Sequence, residues 1–314
     1  MSQVPDNVLD EHKTTSEAVY GMRAQESMAT LVWHRFRRHP GAMTGSVIVV
    51  CILVLSVILV TFSPYDPEES DLPNRLQPPS WEHPFGTDSL GRDLLTRVLY
   101  GGRISLAVGL MVVMITLLIG VPVGVLAGFF GGRLDNILMR ITDAALSLPS
   151  LLALILLSAI LREVKLPLFE RDNVLTIALI IGLLSWMTVA RLVRATCLTI
   201  REKEFVVAAR CVGVADFRIM VRHILPNAIG PIIVECTLEI GYAIMQESGL
   251  SFLGFGIHPP TPSWGNLLSN AQAHLTRHPW LAIFPGLMIF LTIISFNYIG
   301  DGLRDALDPY KVLE

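Results

Sequence analysis

The sequence predicts an all-α integral membrane protein with six transmembrane helices, and two observations from residue content and length, joined to one physical rule, lead there. Mean hydropathy is +0.55, with 52% hydrophobic and only 16% charged residues, which is too apolar for an ordinary soluble domain. Six apolar runs, near residues 42–62, 104–130, 137–161, 174–193, 224–250 and 280–299, each approach the roughly 20 residues needed to cross about 30 Å of hydrocarbon. In lipid every backbone N–H and C=O has to find its partner within its own segment, so these runs are read as helices.

Taken in order, residues 1–25 are mostly polar and read as a disordered cytoplasmic tail. No cleavable signal is apparent, because about forty mostly polar residues precede the first apolar run and that run is long enough to stay as an anchor. From Met28 to Arg38 the pattern changes. Met28, Leu31, Val32 and Phe36 fall near one helical face while Arg35, Arg37 and Arg38 crowd the end, which predicts a short helix on the cytoplasmic surface; an ordinary solvated lead-in fits the same charges. The loop over 63–103 carries Pro64, Pro67, Pro73, Pro78, Pro79 and Pro84, so its first part is expected to be extended. Its end, 90–99, reads as a short surface helix leading into the second span. The third and fifth runs are the least apolar, and Asp143 on the third stands six residues before Pro149, where it reads as a helix-start or packing group near the cytoplasmic end. The division expected is a tail over 1–25, a forelimb of surface helix, first span and external loop over 26–103, and a five-helix core over 104–314 with a cytoplasmic loop at 194–223.

Charge distribution orients the chain. The net charge of −3 is too slight to imply nucleic acid as a partner. With the N-terminus inside, 16 of the 24 Lys and Arg fall on the inner side and 8 outside, so both termini are expected to be cytoplasmic.

Several chemistries are excluded or weak. A P-loop needs Lys after Gly, and Lys13, Lys165, Lys203 and Lys311 follow His12, Val164, Glu202 and Tyr310. Neither a nucleophile elbow nor an HExxH helix occurs. Cys51, Cys197, Cys211 and Cys236 are scattered without ligand-like spacing. His274 and His278 stand four apart without a third ligand nearby. No catalytic residue, cofactor or metal site is therefore assigned to this chain.

Two segments carry function. Between the fourth and fifth spans, Glu204 to Val212 has helical character, Gly213 can end that helix, and Asp216 sits where it can cap the next. A helix, a turn and a second helix would then project into the cytoplasm, with Glu204, Ala208 and Cys211 on one face and small Ala208 and Ala209 admitting a close neighbour. Pro226 marks the first turn of the fifth span. On that span Glu235, Glu239, Tyr242 and Gln246 form a stripe about 60° wide at 100° per residue. Carboxylates at membrane depth are costly, so this stripe is expected to line a translocation pore, or else to bond with neighbouring helices or a partner. Glu247 points elsewhere and reads as an anchor of the outer end.

The sequence AAxxxG at Ala208 to Gly213, followed after nine residues by HILP, resembles the EAA-type loop of binding-protein-dependent ABC importer permeases. FGTDSLGRDLLTRVLYGGRISL at 85–106, GLSFLGFGIHPPTPSWGNLL at 249–268 and FNYIGDGLRDALDP at 296–309 look like the C-type permease subunit of the dipeptide/oligopeptide/nickel importers. The likeness runs from the surface helix to the C-terminus. It implies an ABC importer type I permease fold and alternating access. It also implies a homologous second permease as heterodimer partner, two cytoplasmic ATPases holding ATP and Mg, and an external substrate-binding protein. ATPase coupling would fall to Glu204, Phe205, Val207, Ala208, Ala209, Arg210 and Gly213. Two positions depart from the pattern: Val207 stands where the family's Glu opens the triplet, and His223 where Ile is usual. Glu204, one turn earlier, can replace that carboxylate, and an apolar contact through Phe205 and Val207 fits equally well. Arg210, Arg218 and Arg222 suit either the ATPase or anionic headgroups. Peptides, nickel or another small solute all fit as cargo. An ion-coupled secondary transporter is the rival that intramembrane acids alone suggest, and an intramembrane hydrolase or transferase using Asp143, Glu235 or Glu239 is the rival enzyme.

Overall fold

The computed structural model describes residues 28–163 and 173–308, and the tail expected at 1–25 lies outside them. Five helices within these residues are long and apolar enough to cross a bilayer, and a bent pair supplies a sixth span if its two halves count as one. In chain order the α-helices of the described residues are α1 Met28–Arg38, α2 Pro40–Phe62, α3 Leu94–Phe130, the bent pair α4 Gly132–Leu146 and α5 Ser150–Glu163, α6 Asn173–Arg201, α7 Glu204–Cys211, α8 Asp216–Ile219, α9 Leu225–Phe252, α10 Trp264–Ala271 and α11 Trp280–Leu307.

The amphipathic α1 forms as its periodicity predicts, with Phe36 buried against Ala42 and Ala306 and with Arg35 donating to the Asp308 carbonyl at 3.1 Å. It ends at His39, whose imidazole accepts from the Ala42 N–H, and Pro40 opens α2. One seam of α2, Ala42, Gly45, Val49, Ile52 and Ser56, is buried. That spacing of three and four residues is the inward stripe of a helix, and the remaining apolar residues form the face left to lipid.

Four expectations are corrected. The short surface helix over 90–99 does not exist as a separate element: Asp93 caps the helix through Thr96 at 2.8 Å, and α3 runs unbroken for 37 residues. The fourth span also runs two turns past Val193, to Arg201, because Arg191, Arg194 and Arg201 find partners alongside the helix, so much of the supposed loop at 194–223 is helical. The third run is broken, with α4 and α5 meeting at 87°. Pro149 sits in that break, and α4 carries Arg133, Asp135, Arg140 and Asp143, too many charges for a lipid-crossing half. Asp143 accordingly lies in the last turn of α4, not at a helix start, and pairs with Arg191 in the open. Finally, no loop separates the second cytoplasmic helix from the fifth span, because α8 passes through a π-helical turn, Met220–Ile224, directly into α9. Pro226 does occupy the first turn of α9. The wide turn accommodates a proline that lacks an N–H and crowds the preceding carbonyls.

The tightest helix pair is α3 with α6. Gly120, Gly124 and Gly128 recur every fourth residue, and a Cβ built on each would lie 2.7, 2.5 and 2.8 Å from the carbonyl oxygens of Trp186, Ala190 and Arg194. Only glycine lets these backbones approach so closely. Beyond the bilayer end of α3, the polar motif at 85–97 is a structural clasp. Asp88 accepts from the Arg92 Nε at 2.7 Å and faces the Arg97 Nε at 3.4 Å, and Arg97 donates to the Pro67 carbonyl. Phe85 stacks on Phe284 at 3.8 Å, tying this loop to α11.

Candidate functional site: the cytoplasmic elbow and the fifth span

The elbow is built on the C-terminal ends of α3 and α6. Val206 and Ala209, one turn apart on α7, enter a core of Val125, Phe129, Val193, Cys197, Ile200 and Ile219. Arg210 lies over the Phe129 ring at 4.8 Å, a cation–π contact that holds the C-terminal end of α7 to α3. After α7 the chain reverses: Gly213 donates to the Arg210 carbonyl at 3.0 Å with φ at +79°. A Cβ there would meet nothing, so the left-handed backbone, and not crowding, calls for glycine. Asp216 does not cap α8. Ala215 holds that position without a side-chain bond, and Asp216 stands in the first turn, where its charge favours the helix dipole.

This packing sorts the residues expected to meet an ATPase. Glu204, Phe205, Val207, Ala208, Arg210 and Gly213 are exposed, whereas Ala209 is buried in the chain's own core and is withdrawn as a docking residue. Among the described residues Glu204 forms no ion pair. Two residues to which the sequence assigned no docking role are the most open apolar groups of the elbow, Val212 at 81% and Phe217 at 74% exposure. With Phe205 and Val207 they are the exposed large apolar side chains of an otherwise polar segment, the kind of residue that marks an interaction surface. The signal was in the sequence: large apolar residues flanking a turn glycine outside every span.

The polar stripe on α9 is divided. Glu239 is buried within reach of Ser185 on α6, with its Oε1 unpartnered among the described residues, while Tyr242 is exposed and Glu235 and Gln246 are half-buried. Two arginines on α6 hold the α4 half-helix beside this region. Arg194 grips Asp135 with both nitrogens, Nη2 lying 2.6 Å from Oδ2, and Arg191 pairs with Asp143. His274 and His278 lie 6.2 Å apart between ring centres, and no group of three His, Cys, Asp or Glu among the described residues is placed to hold a metal.

The family model for the binding-protein-dependent transport system inner membrane component matches residues 120–311, well over half of the chain. The chain belongs to this family. A second family model, the N-terminal TM domain of oligopeptide transport permease C, matches residues 27–79 of the permease. The permease is 42% identical over 275 residues to the oligopeptide transport system permease protein OppC of Bacillus subtilis (strain 168), covering 88% of this chain and 87% of that protein. It is 41% identical over 278 residues to the glutathione transport system permease protein GsiD of Escherichia coli O6:K15:H31, covering 88% and 89%, and matches GsiD of Shigella boydii serotype 4 equally well. Its helices follow the type I importer plan of that family, and the permease is a membrane pore component of an ABC transport system, not an enzyme. ATPase and substrate-binding subunits are its general partners.

Proposed function

We propose that this permease is one half of a peptide importer, paired with a homologous second permease, served by two cytoplasmic ATPases that hold ATP and Mg, and supplied by an external binding protein. Both termini face the cytoplasm, as the excess of Lys and Arg on that side favours. Peptide cargo is favoured by the relatives named for oligopeptide and glutathione transport. The observation that carries the coupling role is the exposure of the large apolar side chains Phe205, Val207, Val212 and Phe217 on an elbow fixed to the ends of α3 and α6 through Val206, Ala209 and Arg210. An ATPase groove gripping those side chains pulls on both long helices at once. Contact is apolar: Val207 replaces the usual carboxylate and Glu204 contributes little. Glu235, Glu239, Tyr242 and Gln246 line the path, where negative charge suits a peptide amino terminus.

The test is assembly and uptake with the neighbouring subunits. Val212→Asp and Phe217→Asp are expected to lose the ATPases on purification and to lose labelled-peptide uptake, while Glu204→Gln retains both. Full assembly of the two Asp variants, or loss with Glu204→Gln alone, overturns the apolar coupling. Uptake of nickel without uptake of any peptide overturns the cargo.

A further inference from the structure

The segment at 249–268 folds around a carboxyl that no transport step uses. Glu247, near the outer end of α9, is fully buried. Its Oε1 accepts from the Ser251 hydroxyl at 2.7 Å, its Oε2 accepts from Ser105 at 3.0 Å and Ser248 at 3.4 Å, and the Ser263 hydroxyl is a fourth partner. Three of these hydroxyls are themselves taken up as acceptors: Ser251 by the Ile257 N–H at 3.0 Å, Ser105 by the Trp264 N–H at 3.4 Å and Ser263 by the Asn266 N–H at 3.3 Å. A hydroxyl that accepts from the backbone turns its own hydrogen outward, so the cage offers Glu247 donors.

The three elements that meet here are held at backbone contact. Cβ atoms on Gly101 and Gly102 of α3 would press on Ser263 and Trp264, and one on Gly265 would lie 2.5 Å from the Ser248 carbonyl. The Trp264 indole donates to the Val98 carbonyl at 2.9 Å, and the Asn266 amide donates to the Ile257 and Thr261 carbonyls at 3.2 and 2.8 Å. The short helix α10 is therefore an inserted plug, pinned between α3 and α9, with Glu247 bonded to both helices and to the plug.

We infer that Glu247 is a positioning residue of the importer: its serine cage fixes segment 253–271 onto α3 and so shapes the outer face on which the binding protein acts. The inference rests on the orientation given under the proposed function. It predicts loss of coupling to the binding protein with assembly and basal turnover kept. Because the cage offers donors, an amide NH2 in place of one oxygen meets hydroxyl hydrogens head-on, and glutamine is no substitute.

The experiment uses the full complex in proteoliposomes, with the cognate binding protein as purified. Glu247→Gln is expected to raise the binding-protein concentration for half-maximal ATPase stimulation about tenfold, the cost of one charge-assisted hydrogen bond, with basal ATPase unchanged. Ser105→Ala, a milder change should Glu247→Gln fail to assemble, is expected to raise it about threefold. In a background with the four native cysteines replaced, Ile257→Cys, buried in the parent, is expected to react with an impermeant maleimide from outside only when Glu247→Gln or Ser105→Ala is also present. Labelling only from the ATPase side in those variants overturns the orientation and leaves the cage role standing. Parental half-saturation in either assembled variant, or an equal fall in basal and stimulated ATPase, overturns the positioning role.

Discussion

At the residue scale, charge placement separates groups that hold the bundle from groups proposed to face cargo. Arg194 and Asp135 share a two-pronged contact, and the Asp135 side chain is nearly buried. Removing the guanidinium leaves that carboxylate with weakened solvation and no partner. Arg194→Ala is expected to destabilise the detergent-purified complex by about 1–3 kcal/mol, read as a lower unfolding midpoint. Adding Asp135→Ala should restore part of the loss, because the unpaired charge is then gone. Arg191 and Asp143 are both exposed, so Arg191→Ala should cost under about 1 kcal/mol. Glu235 and Glu239 differ from Asp135 and Asp143 in having no basic partner among the described ion pairs. Changing both to glutamine is expected to lower peptide uptake and to weaken the preference for cationic peptides, with the ATPases still bound; unchanged uptake and preference would remove them from the path.

At the scale of elements, the bundle depends on how closely α3 and α6 approach. Gly124→Ala puts a methyl 2.5 Å from the Ala190 carbonyl oxygen, and backbone cannot rotate aside as a side chain can. A loss of about 1–3 kcal/mol is expected, measured by thermal unfolding in detergent. Gly230→Ala is the control, since its nearest neighbour atoms lie 3.8 Å away on the Leu307 side chain; it should be neutral or gain up to about 1 kcal/mol in helix propensity. The spans were legible because apolar runs and backbone satisfaction in lipid leave no other structure. Helix ends were less so. Hydropathy stops at the hydrocarbon edge, whereas α6 continues to Arg201 by finding acceptors for its arginines on α3 and α4, among them the Gly128 carbonyl at 2.9 Å. The third run reads as one span through Pro149; the break there, at 87°, follows from a proline beside a charged half-helix whose acids pair with arginines on α6. The elbow's inner and outer faces were hidden for a related reason. Ala208 and Ala209 are chemically alike, and only the core contributed by Phe129 and Ile219 decides which turns inward.

For the molecule as a whole, the decisive feature is one continuous rod from the elbow to the outer cage. The span Asp216–Phe252 covers 37 residues, about 55 Å at 1.5 Å per residue, and carries Glu235, Glu239 and Glu247. On the proposed coupling, movement imposed at Phe217 would reach the far end along a hydrogen-bonded helix, with the π-helical turn at Met220–Ile224 as an irregular point near its start. A long lever needs an external motor, and a chain without a Walker A sequence has to borrow one. This separates the importer from a gradient-driven carrier, in which intramembrane acids would themselves bind and release the driving ion. Proteoliposomes holding the complete complex, with ATP trapped on the elbow side, provide the discrimination. Peptide uptake should persist when ionophores collapse proton and sodium gradients, and should fall to the level of empty liposomes when the trapped nucleotide is non-hydrolysable. Uptake that follows the ionophores and ignores the nucleotide would make the acids of α9 the energy-coupling groups and leave the elbow without a motor.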